Sequence, residues 1–458
     1  MMRLKPLVMG LLCGLPVLAQ AQILTFQESV KRALANNPEI SAADQRIAQA
    51  EAALKAARNA RLPQVNAELN VVNSDDALNV FGMKLQARQA SFADFGFADF
   101  DSTNPNILSV EPKQLNHPGD WTHYNAKLQL LIPIWNGGKI SGFQNQAKAY
   151  TEAAQYGKGA VRQFLAYSVF RAYDAVHTAR AYIEVAQKAL AAADSYVKTT
   201  RNMVKQGMVV KSELLRALVN RSEAQLALEQ AQNQEQLALD GLRALLALDM
   251  AEEIDVADRV GIELPTEEMV ELVSLAMAQN PKLKALRKQY EATLAGVTVA
   301  EADKYPHLNA MAEKNYHSDH FGLQADSYMV ALQAKWKLTD FGVTDATVAR
   351  TRAQAAELSA KLHAEQNQVR LQVIQAWRNY QVAKKKIETT RLNARQAEEA
   401  NRLVLKRYKA GVATITELLA SQAQLDKARA DHVAAIYDAN VRKAALRFLT
   451  GTMTLDQL

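Results

Sequence analysis

The chain has 458 residues, of which 49% are hydrophobic, and its 54 basic and 48 acidic residues give a formal net charge of +6. Basic and acidic residues alternate along predicted helices, which is typical of a solvated face and argues against nucleic-acid binding. The single cysteine, Cys13, lies near the N-terminus. The rest of the chain therefore has no disulfide, thiol nucleophile or cysteine metal site, and we expect no metal or other cofactor.

Residues 1–21 have the three parts of a secretory signal peptide: basic Arg3 and Lys5, an apolar stretch, and a small-x-small ending at Ala21. We predict that export removes them, so that the mature chain starts at Gln22 with 52 − 48 = +4 charges. No later segment has 18 consecutive apolar residues, so the sequence predicts no transmembrane helix.

Two halves of the chain repeat each other. Asn37-Pro38 recurs as Asn280-Pro281, and farther along Gly207 recurs as Gly411 at an offset of 204 residues. Copies of about 200 residues are too long for solenoid units and indicate a duplicated half. The predicted organisation is a signal peptide at 1–21, a first structural repeat at 22–250, a linker at 251–280 and a second repeat at 281–458.

Each repeat contains one exceptionally long predicted helix. The stretches from Gly138 to Gly207 and from Gly342 to Gly411 each enclose 68 residues, enough for helices of about 100 Å. Apolar residues recur in steps of four and three, which indicates antiparallel coiled-coil packing. These seam residues are Val369, Val373, Ala376, Tyr380, Ala383 and Ile387, with Leu165, Val169, Ala172, Val176, Ala179 and Ile183 in the first repeat. Shorter helices are predicted at 38–61, 212–250, 281–304 and 416–450.

Apolar and polar residues alternate at 124–134 and 328–338, and shorter runs at 65–72 and 308–316 precede them. A period of two predicts strands with one apolar and one polar face, as in an outer-membrane barrel. Four strands leave open edges that lipid does not tolerate, so three copies would supply twelve. A soluble sheet packed on helices is the alternative. The barrel reading predicts that Lys127, Gln129, Lys335 and Lys337 face the lumen and that Leu128, Leu130, Leu332 and Ala334 face lipid.

The order and spacing of these features resemble the TolC-like outer-membrane efflux proteins, the outer membrane factors of tripartite export systems. The resemblance covers the mature chain and includes "LIPIWNGGK" at 131–139, "KWKLTDFG" at 335–342 and "RYKAGVATITELL" at 407–419. It implies a mainly α protomer with a small transmembrane β part, assembled as a homotrimer with a 12-stranded barrel and a helical tunnel. The implied role is a non-enzymatic conduit, in the outer membrane with a long periplasmic extension, driven by a periplasmic adaptor and an inner-membrane pump or exporter.

The resemblance also implies site residues at the periplasmic end. Adaptor docking falls on Gly207, Met208 and Val209 and on Gly411, Val412 and Ala413. The gate falls on Tyr408 linked to Glu213, with Glu417 forming a carboxylate ring. The sequence departs from the family pattern at Ala413 and Ala420, where an arginine and a second ring acid would stand. Simple glycine turns and acids at helix starts are the alternative interpretations.

Two further features carry no assigned role. The phrase "FADFGFADF" at 92–100 belongs to a long first hairpin loop, 74–120, for which packing on the barrel rim is favoured over a flap or receptor site. His317 and His320 are interpreted as an ordinary polar loop rather than a metal site. A periplasmic adaptor and a structural coiled-coil protein remain rival functions, and the sequence leaves the cargo open among drugs, metals, solvents and polypeptides.

Overall fold

A computed structural model describes residues 22–454, so the predicted signal peptide lies outside the described residues. Within them the chain forms ten α-helices and six strands. The helices are α1 Phe26–Asn36, α2 Pro38–Asn59, α3 Ala77–Gln86, α4 Lys113–Asn116, α5 Lys139–Lys205, α6 Lys211–Leu245, α7 Met269–Gln279, α8 Pro281–Glu301, α9 Val343–Lys409 and α10 Ile415–Thr450. The strands are β1 Gln22–Leu24, β2 Gln64–Ser74, β3 Trp121–Trp135, β4 Ile254–Val256, β5 His307–Ser318 and β6 Ala325–Lys335.

The described residues divide into two compact units. The helical unit comprises 22–47, 153–286 and 362–454, and the sheet unit comprises 48–152 and 287–361. Each unit contains segments of both repeats, because the boundaries of the units do not coincide with the boundaries of the repeats. Each repeat contributes equivalent segments to both units. None of the helices among residues 22–454 has an apolar run of the length and hydropathy needed to cross a membrane.

The helical unit buries the predicted seam. α5 and α9 are both 67 residues long, and Leu165, Val169 and Val373 are at most 2% exposed. Side chains between the seam residues are buried too: Phe170 packs edge-on against Phe26 with ring centroids 5.7 Å apart. The predicted coiled-coil seam is confirmed, and the long helices contact neighbours on more than one side.

Four short elements of the helical unit were not predicted: helices α1 and α7 and strands β1 and β4. β1 pairs in parallel with β4, with Gln22 opposite Ile254 and Leu24 opposite Val256. The region interpreted as a linker, 251–280, therefore contains a strand and helix α7. Three-residue strands have too few positions to show a period of two, so they leave no strand pattern in the sequence.

The two Asn-Pro sequences form equivalent helix junctions. α1 and α7 end just before Asn37 and Asn280, and α2 and α8 begin at the prolines, where the missing N–H costs no helical hydrogen bond. The Asn37 amide donates to the Leu245 carbonyl at 3.1 Å, and Asn280 donates to the Leu449 carbonyl at 3.0 Å. Each asparagine thus binds the C-terminal end of the helix that follows the tip of its own repeat, α6 in the first repeat and α10 in the second. We call α6 and α10 the return helices.

The sheet unit contains one four-stranded antiparallel sheet in the order β2-β3-β5-β6. Its strands match the predicted runs, except that β6 covers 325–335 and not 328–338. The β2–β3 connection, residues 75–120, folds into α3, α4 and three short 3-10 turns. The β5–β6 connection is only the six residues 319–324.

Candidate functional sites

Both helical hairpins turn at a glycine in the left-handed region. Gly207 has φ of 71° and Gly411 has φ of 77°. The Gly207 N–H donates to the Val204 carbonyl and the Met208 N–H to the Met203 carbonyl, at 3.0 and 2.9 Å. The second tip has the same two bonds, from Gly411 to Tyr408 and from Val412 to Arg407. This pair of bonds defines a Schellman motif, so both tips end their long helix in the same way.

The residues predicted for adaptor docking lie at the ends of these turns. Met208 and Val412 are 54% and 65% exposed, whereas Val209 and Ala413 pack against a buried cluster that we call the tip core. The tip core consists of Tyr196, Val197, Met203, Ala217, Tyr408, Ile415 and Leu418. Each tip therefore exposes the apolar side chain after its glycine and inserts the next one along the chain, and the first tip also exposes Val210.

Tyr408, the predicted gate tyrosine, is fully buried in the tip core. Its hydroxyl lies 2.7 Å from the Thr200 hydroxyl, so its hydrogen bond joins α9 to α5. Burial is the main cause that raises the pKa of Tyr408, and the nearby Glu213 carboxylate raises the pKa further. Glu213 is thus a neighbour of Tyr408, but the shortest polar contact of the hydroxyl is the one to Thr200, which was not among the predicted gate residues.

The Glu213 carboxylate itself has one oxygen, Oε2, that is buried and has no hydrogen-bond partner among the described residues. It lies in the first turn of α6, whose N-cap residue Val210 has no capping side chain. An acid in a first turn interacts favourably with the helix dipole. Glu213 lies beside the Tyr408 hydroxyl and raises its pKa, although the hydrogen bond of that hydroxyl is to Thr200. A gate link between Tyr408 and Glu213 stays a prediction.

Glu417 is the second predicted gate acid. Its N–H donates to the Thr414 hydroxyl at 3.2 Å, and its carboxylate lies 3.9 Å from the Arg407 guanidinium. Both charged side chains are more than half exposed, so the pair contributes little, on the order of 0–1 kcal/mol. In a single protomer, Glu417 is an exposed acid in the first turn of α10.

A second set of hydrogen-bonded polar side chains crosses the tip core, and it was not predicted from the sequence. The Tyr196 hydroxyl donates to Gln422 Oε1 at 2.6 Å, and the Asn401 amide donates to Tyr196 and Gln422 at 3.1 and 2.8 Å. Gln422 in turn donates to Asp426 Oδ1 at 2.8 Å. Burial raises the pKa of Asp426. These contacts tie α5, α9 and α10 together within the helical unit.

The sheet has one polar and one apolar face, as the alternation predicts. Lys127 lies opposite Glu68 in the β2–β3 pair, with Nζ and Oε2 3.0 Å apart. Gln129 donates to Glu313 Oε1 at 2.5 Å. The register places Lys335 opposite His307 on this same polar face.

Lys337 does not belong to the polar face of the sheet. β6 ends at Lys335, and the Lys337 ammonium lies 3.5 Å from the Asp340 carboxylate in the connection to α9. The alternation of apolar and polar residues continues through Lys337, which is why the sequence placed it in the strand. The pairing with β5 stops at His307, so the ladder cannot extend to Lys337.

The apolar face carries Leu128, Leu130, Leu332 and Ala334, as predicted from the alternation. Aromatic residues lie at both ends of this face. Trp135 and Tyr305 pack edge-on with centroids 6.2 Å apart, and the Trp336 indole donates to the Lys304 carbonyl at 3.1 Å. At the other end lie Tyr124, Tyr316 and Tyr328. Aromatic girdles on either side of an apolar band are typical of strands that cross a membrane.

The aromatic segment 92–100 packs mainly on its own loop. Phe95 packs edge-on against Phe81 of α3 at 5.0 Å, and Phe97 lies about equally far from Phe92 and Phe100. Phe92 remains 82% exposed, so the loop leaves apolar surface in solvent in this protomer. The loop reaches across the end of the sheet, because Arg88 donates to the Asp326 carbonyl at 2.7 Å.

His317 and His320 do not converge on a shared site. The His317 ring stacks on His123 with centroids 5.3 Å apart, whereas His320 contacts Asp319 and Gln324. Within residues 22–454, no three His, Cys, Asp or Glu side chains are placed to bind one metal ion.

Comparisons with known proteins agree with this architecture. The family described as outer membrane efflux protein matches residues 29–248 and 272–452. Protein CyaE of Bordetella pertussis is 25% identical over 338 residues, 71% of each chain. The outer membrane protein VceC of Vibrio cholerae has the same fold, with a TM-score of 0.75, 18% identity and coverage of 93% of this chain and 96% of VceC. The open-state MtrE outer membrane channel of Neisseria gonorrhoeae has a TM-score of 0.73, 17% identity and coverage of 94% of this chain and 90% of MtrE.

The two ranges that match the family, 29–248 and 272–452, contain both tips and all four strands of the antiparallel sheet. The chain belongs to the outer membrane efflux protein family.

Proposed function

We propose that three copies of this outer-membrane efflux channel close one barrel and one periplasmic tunnel, through which an inner-membrane pump drives cargo outward. The observation that carries the proposal is the four-stranded sheet with one apolar face and with edge strands β2 and β6. Unpaired strand edges are not tolerated in lipid, so β2 of one copy would pair with β6 of the next.

Oligomeric state tests this arrangement directly. Native mass spectrometry of the full chain in detergent should give a trimer, and a stable monomer or dimer would contradict a barrel built from three copies. Membrane fractionation is the companion measurement, because recovery in the soluble periplasmic fraction would support the adaptor or structural coiled-coil reading instead.

The faces of the sheet give the channel a lumen and a lipid surface. We propose that Lys127, Gln129 and Lys335 line the lumen and that Leu128 and Ala334 face lipid. Single cysteines at these positions should react with a water-soluble thiol reagent at 127 and 335 and not at 128 and 334. The only cysteine of the sequence, Cys13, lies in the predicted signal peptide. Labelling at 128 and 334 alone would therefore show a register shifted by one residue.

We propose that the two tips are where the periplasmic adaptor docks. The exposed Met208 and Val412 end two identical backbone turns, which would give a trimer six similar contact points. Replacing both with aspartate should abolish efflux while leaving trimer assembly intact. The matched control is Val382→Asp and Leu392→Asp, which change exposed apolar residues of α9 away from the tip. Equal loss of efflux in both variants would count against tip docking.

We also propose that the tips form the periplasmic gate. The Tyr408–Thr200 bond holds α9 against α5, with Glu213 beside it, and three copies of Glu417 would place like charges near the axis. Single-channel recordings should show higher conductance for Tyr408→Phe and weaker cation preference for Glu417→Ala. Tyr380→Phe is the control, because Tyr380 is a buried tyrosine of α9 outside the tip core. Unchanged conductance in Tyr408→Phe would place the constriction elsewhere.

A further inference from the structure

The long connection between β2 and β3, residues 75–120, covers part of the polar face of the sheet. The Trp121 side chain lies on this face, because side chains alternate along β3 and Trp121 is six residues before Lys127. The Lys84 ammonium of α3 lies 5.0 Å from the Trp121 ring. On the same face His123 is 5% exposed, whereas Met329, farther from the connection, is 44% exposed. The polar face is therefore covered at the end where the hairpins turn.

Helix α3 is long enough to cross the sheet from one edge to the other. Its 10 residues span about 15 Å, and the four strands are separated by three gaps of about 4.8 Å. The helix begins three residues after edge strand β2 ends. Just beyond the other end of the helix, Arg88 donates to the carbonyl of Asp326 in edge strand β6 at 2.7 Å, and Gln89 donates to Asp319 at 3.0 Å. The connection of one copy therefore extends over the whole width of its sheet.

α3 turns one side toward the strands and the other side away from them. Lys84 contacts Trp121, and Val80, one turn earlier on the same side, is fully buried. Leu78 and Leu85 lie two turns apart on the opposite side, and both are exposed. The rest of the connection adds four more exposed apolar side chains, Phe92, Phe97, Phe100 and Leu108. The connection thus has an apolar surface that is exposed in the protomer.

We propose that the connections of three copies meet through this apolar surface and close the outer mouth of the channel. The inference rests on the proposed trimer, in which the polar face of the sheet lines the lumen. A layer over the inward face of a closed barrel can meet only water and the equivalent layers of the other two copies. Burial of the exposed phenylalanine and leucine side chains between copies is favourable, and an apolar constriction excludes water and hydrated ions. The channel would then have a second closure, separate from the proposed gate at the tips.

The contact between the connection and the sheet suits a closure that opens for cargo. Among residues 22–454, Gln89 Oε1, Trp121 Nε1 and His123 Nδ1 are buried without a hydrogen-bond partner. A buried polar group without a partner destabilises the arrangement that buries it. Displacement of the connection would expose these three atoms to water, so part of the free energy needed for opening is offset.

Cysteine cross-linking tests the contact between copies. Leu108 is 99% exposed, and oxidation of the Leu108→Cys trimer with copper phenanthroline should give disulfide-linked dimers. Phe92→Cys is a second position on the same surface. Leu323→Cys is the matched control, because Leu323 is an exposed leucine of the short β5–β6 connection and lies beside Ala126 and Leu128 of the apolar face. Monomers from both test positions, or equal cross-linking of the control, would overturn the proposed contact.

Access from outside the cell tests the closure itself. Intact cells that carry the Lys335→Cys protein would be treated with a maleimide too bulky to cross the outer membrane, since Lys335 lies at the end of the polar face away from the hairpins. Adding Phe92→Ser and Leu108→Ser should accelerate labelling at least about tenfold, because each change removes an apolar contact from the closed mouth. Phe321→Ser and Leu323→Ser, the same pair of changes in the short connection, should leave the rate unchanged. An unchanged rate in the first pair, or equal acceleration by both pairs, would overturn the closure.

These outcomes are separate from those that test the channel. Absence of a trimer would contradict the proposed channel before any reagent is added. A small maleimide that fails to label position 335 in the solubilised trimer would contradict a lumen lined by the polar face. If the trimer forms, the small reagent labels position 335 and the bulky reagent labels it equally fast from outside, then the channel stands and the proposed closure is wrong.

Discussion

The two repeats agree closely in backbone and differ in buried polar side chains. At the Asn-Pro junctions, Asn37 and Asn280 make the same bond to the end of a return helix. At the tips the hydrogen bonds are identical, but Tyr408 of the second repeat corresponds to Val204 of the first. The two repeats therefore share the backbone of the tip, and the polar contacts between the two hairpins come from positions at which the repeats differ in side chain, such as Thr200 and Tyr408.

The β-hairpin connections differ far more than the tips do. Residues 75–120 contain two helices and three 3-10 turns, whereas residues 319–324 connect their strands directly. The long connection has its own buried ion pair between Lys84 and Asp94, 2.6 Å apart, and the Lys84 ammonium lies 5.0 Å from the Trp121 ring. An insertion of this kind stays ordered only if it contains stabilising contacts of its own.

The largest effect that we predict is on this connection. Asp94→Asn should destabilise the fold of residues 75–120 by about 3 kcal/mol, because it weakens charge-assisted bonds to Lys84 and Ser91. Hydrogen exchange should then accelerate in 75–120 and remain unchanged in α5. Asp75→Asn, at an exposed site in the same connection, should leave exchange unchanged. Equal exchange in the two variants would show that the pair does not order the connection.

The same pair predicts a pH dependence. The Lys84 ammonium and the Ser91 N–H lower the pKa of Asp94 to about 2. Because the folded-state pKa lies below the unfolded value of about 3.9, the stabilisation is complete above that value and is lost as the pH falls through about 2. Protection of the connection should therefore persist near pH 4 and disappear in stronger acid, and Asp94→Asn should remove this transition.

The next prediction tests whether the junctions are equivalent in energy as well as in geometry. Asn37→Ala and Asn280→Ala should each cost about 2 kcal/mol, through loss of a helix cap and of the bond to a return-helix carbonyl. Hydrogen exchange should accelerate at the end of α6 in the first variant and at the end of α10 in the second. Acceleration at both ends in either variant would mean that the junctions are coupled and not separate copies.

Some features were predictable because they depend on local sequence. The seam follows from steps of three and four, the strand faces from alternation, and the tip turns from glycines whose φ other residues rarely adopt. Thr200 was not predictable, because its role depends on which turn of α5 faces Tyr408, 208 residues away in the chain. Tyr196, Asn401 and Gln422 were not predictable for the same reason. Each is a polar residue in a helix that otherwise buries apolar residues at the tip.

A smaller effect is expected at the tip glycines. Gly207→Ala and Gly411→Ala should each destabilise their hairpin by about 1–2 kcal/mol, since the left-handed conformation brings Cβ too close to the following carbonyl. Apart from the local backbone, a Cβ at either position would meet no atom within 4 Å, so backbone strain is the only cost. Thermal unfolding should show equal shifts in the two variants. Unequal shifts would show that the turns differ in strain despite their shared bonds.

The smallest effect concerns Asp426, at the end of the polar network of the tip core. Burial raises the pKa of Asp426 in the folded chain. A raised folded-state pKa means that the neutral acid stabilises the fold below the unfolded value of about 3.9 and that this contribution is lost as the pH rises through the folded pKa. At neutral pH the ionised carboxylate therefore destabilises the tip relative to a neutral group of the same shape.

Asp426→Asn removes that charge and retains an acceptor for the Gln422 amide. The variant should unfold at a slightly higher temperature than the unaltered protein near pH 7, and the difference should vanish at about pH 3.5, where both side chains are neutral. Asp431→Asn provides the comparison, because Asp431 lies on the same helix and is half exposed, paired with Lys427. If Asp426→Asn still unfolds at a higher temperature at low pH, then Asp426 destabilises the second hairpin through its packing and not through its charge.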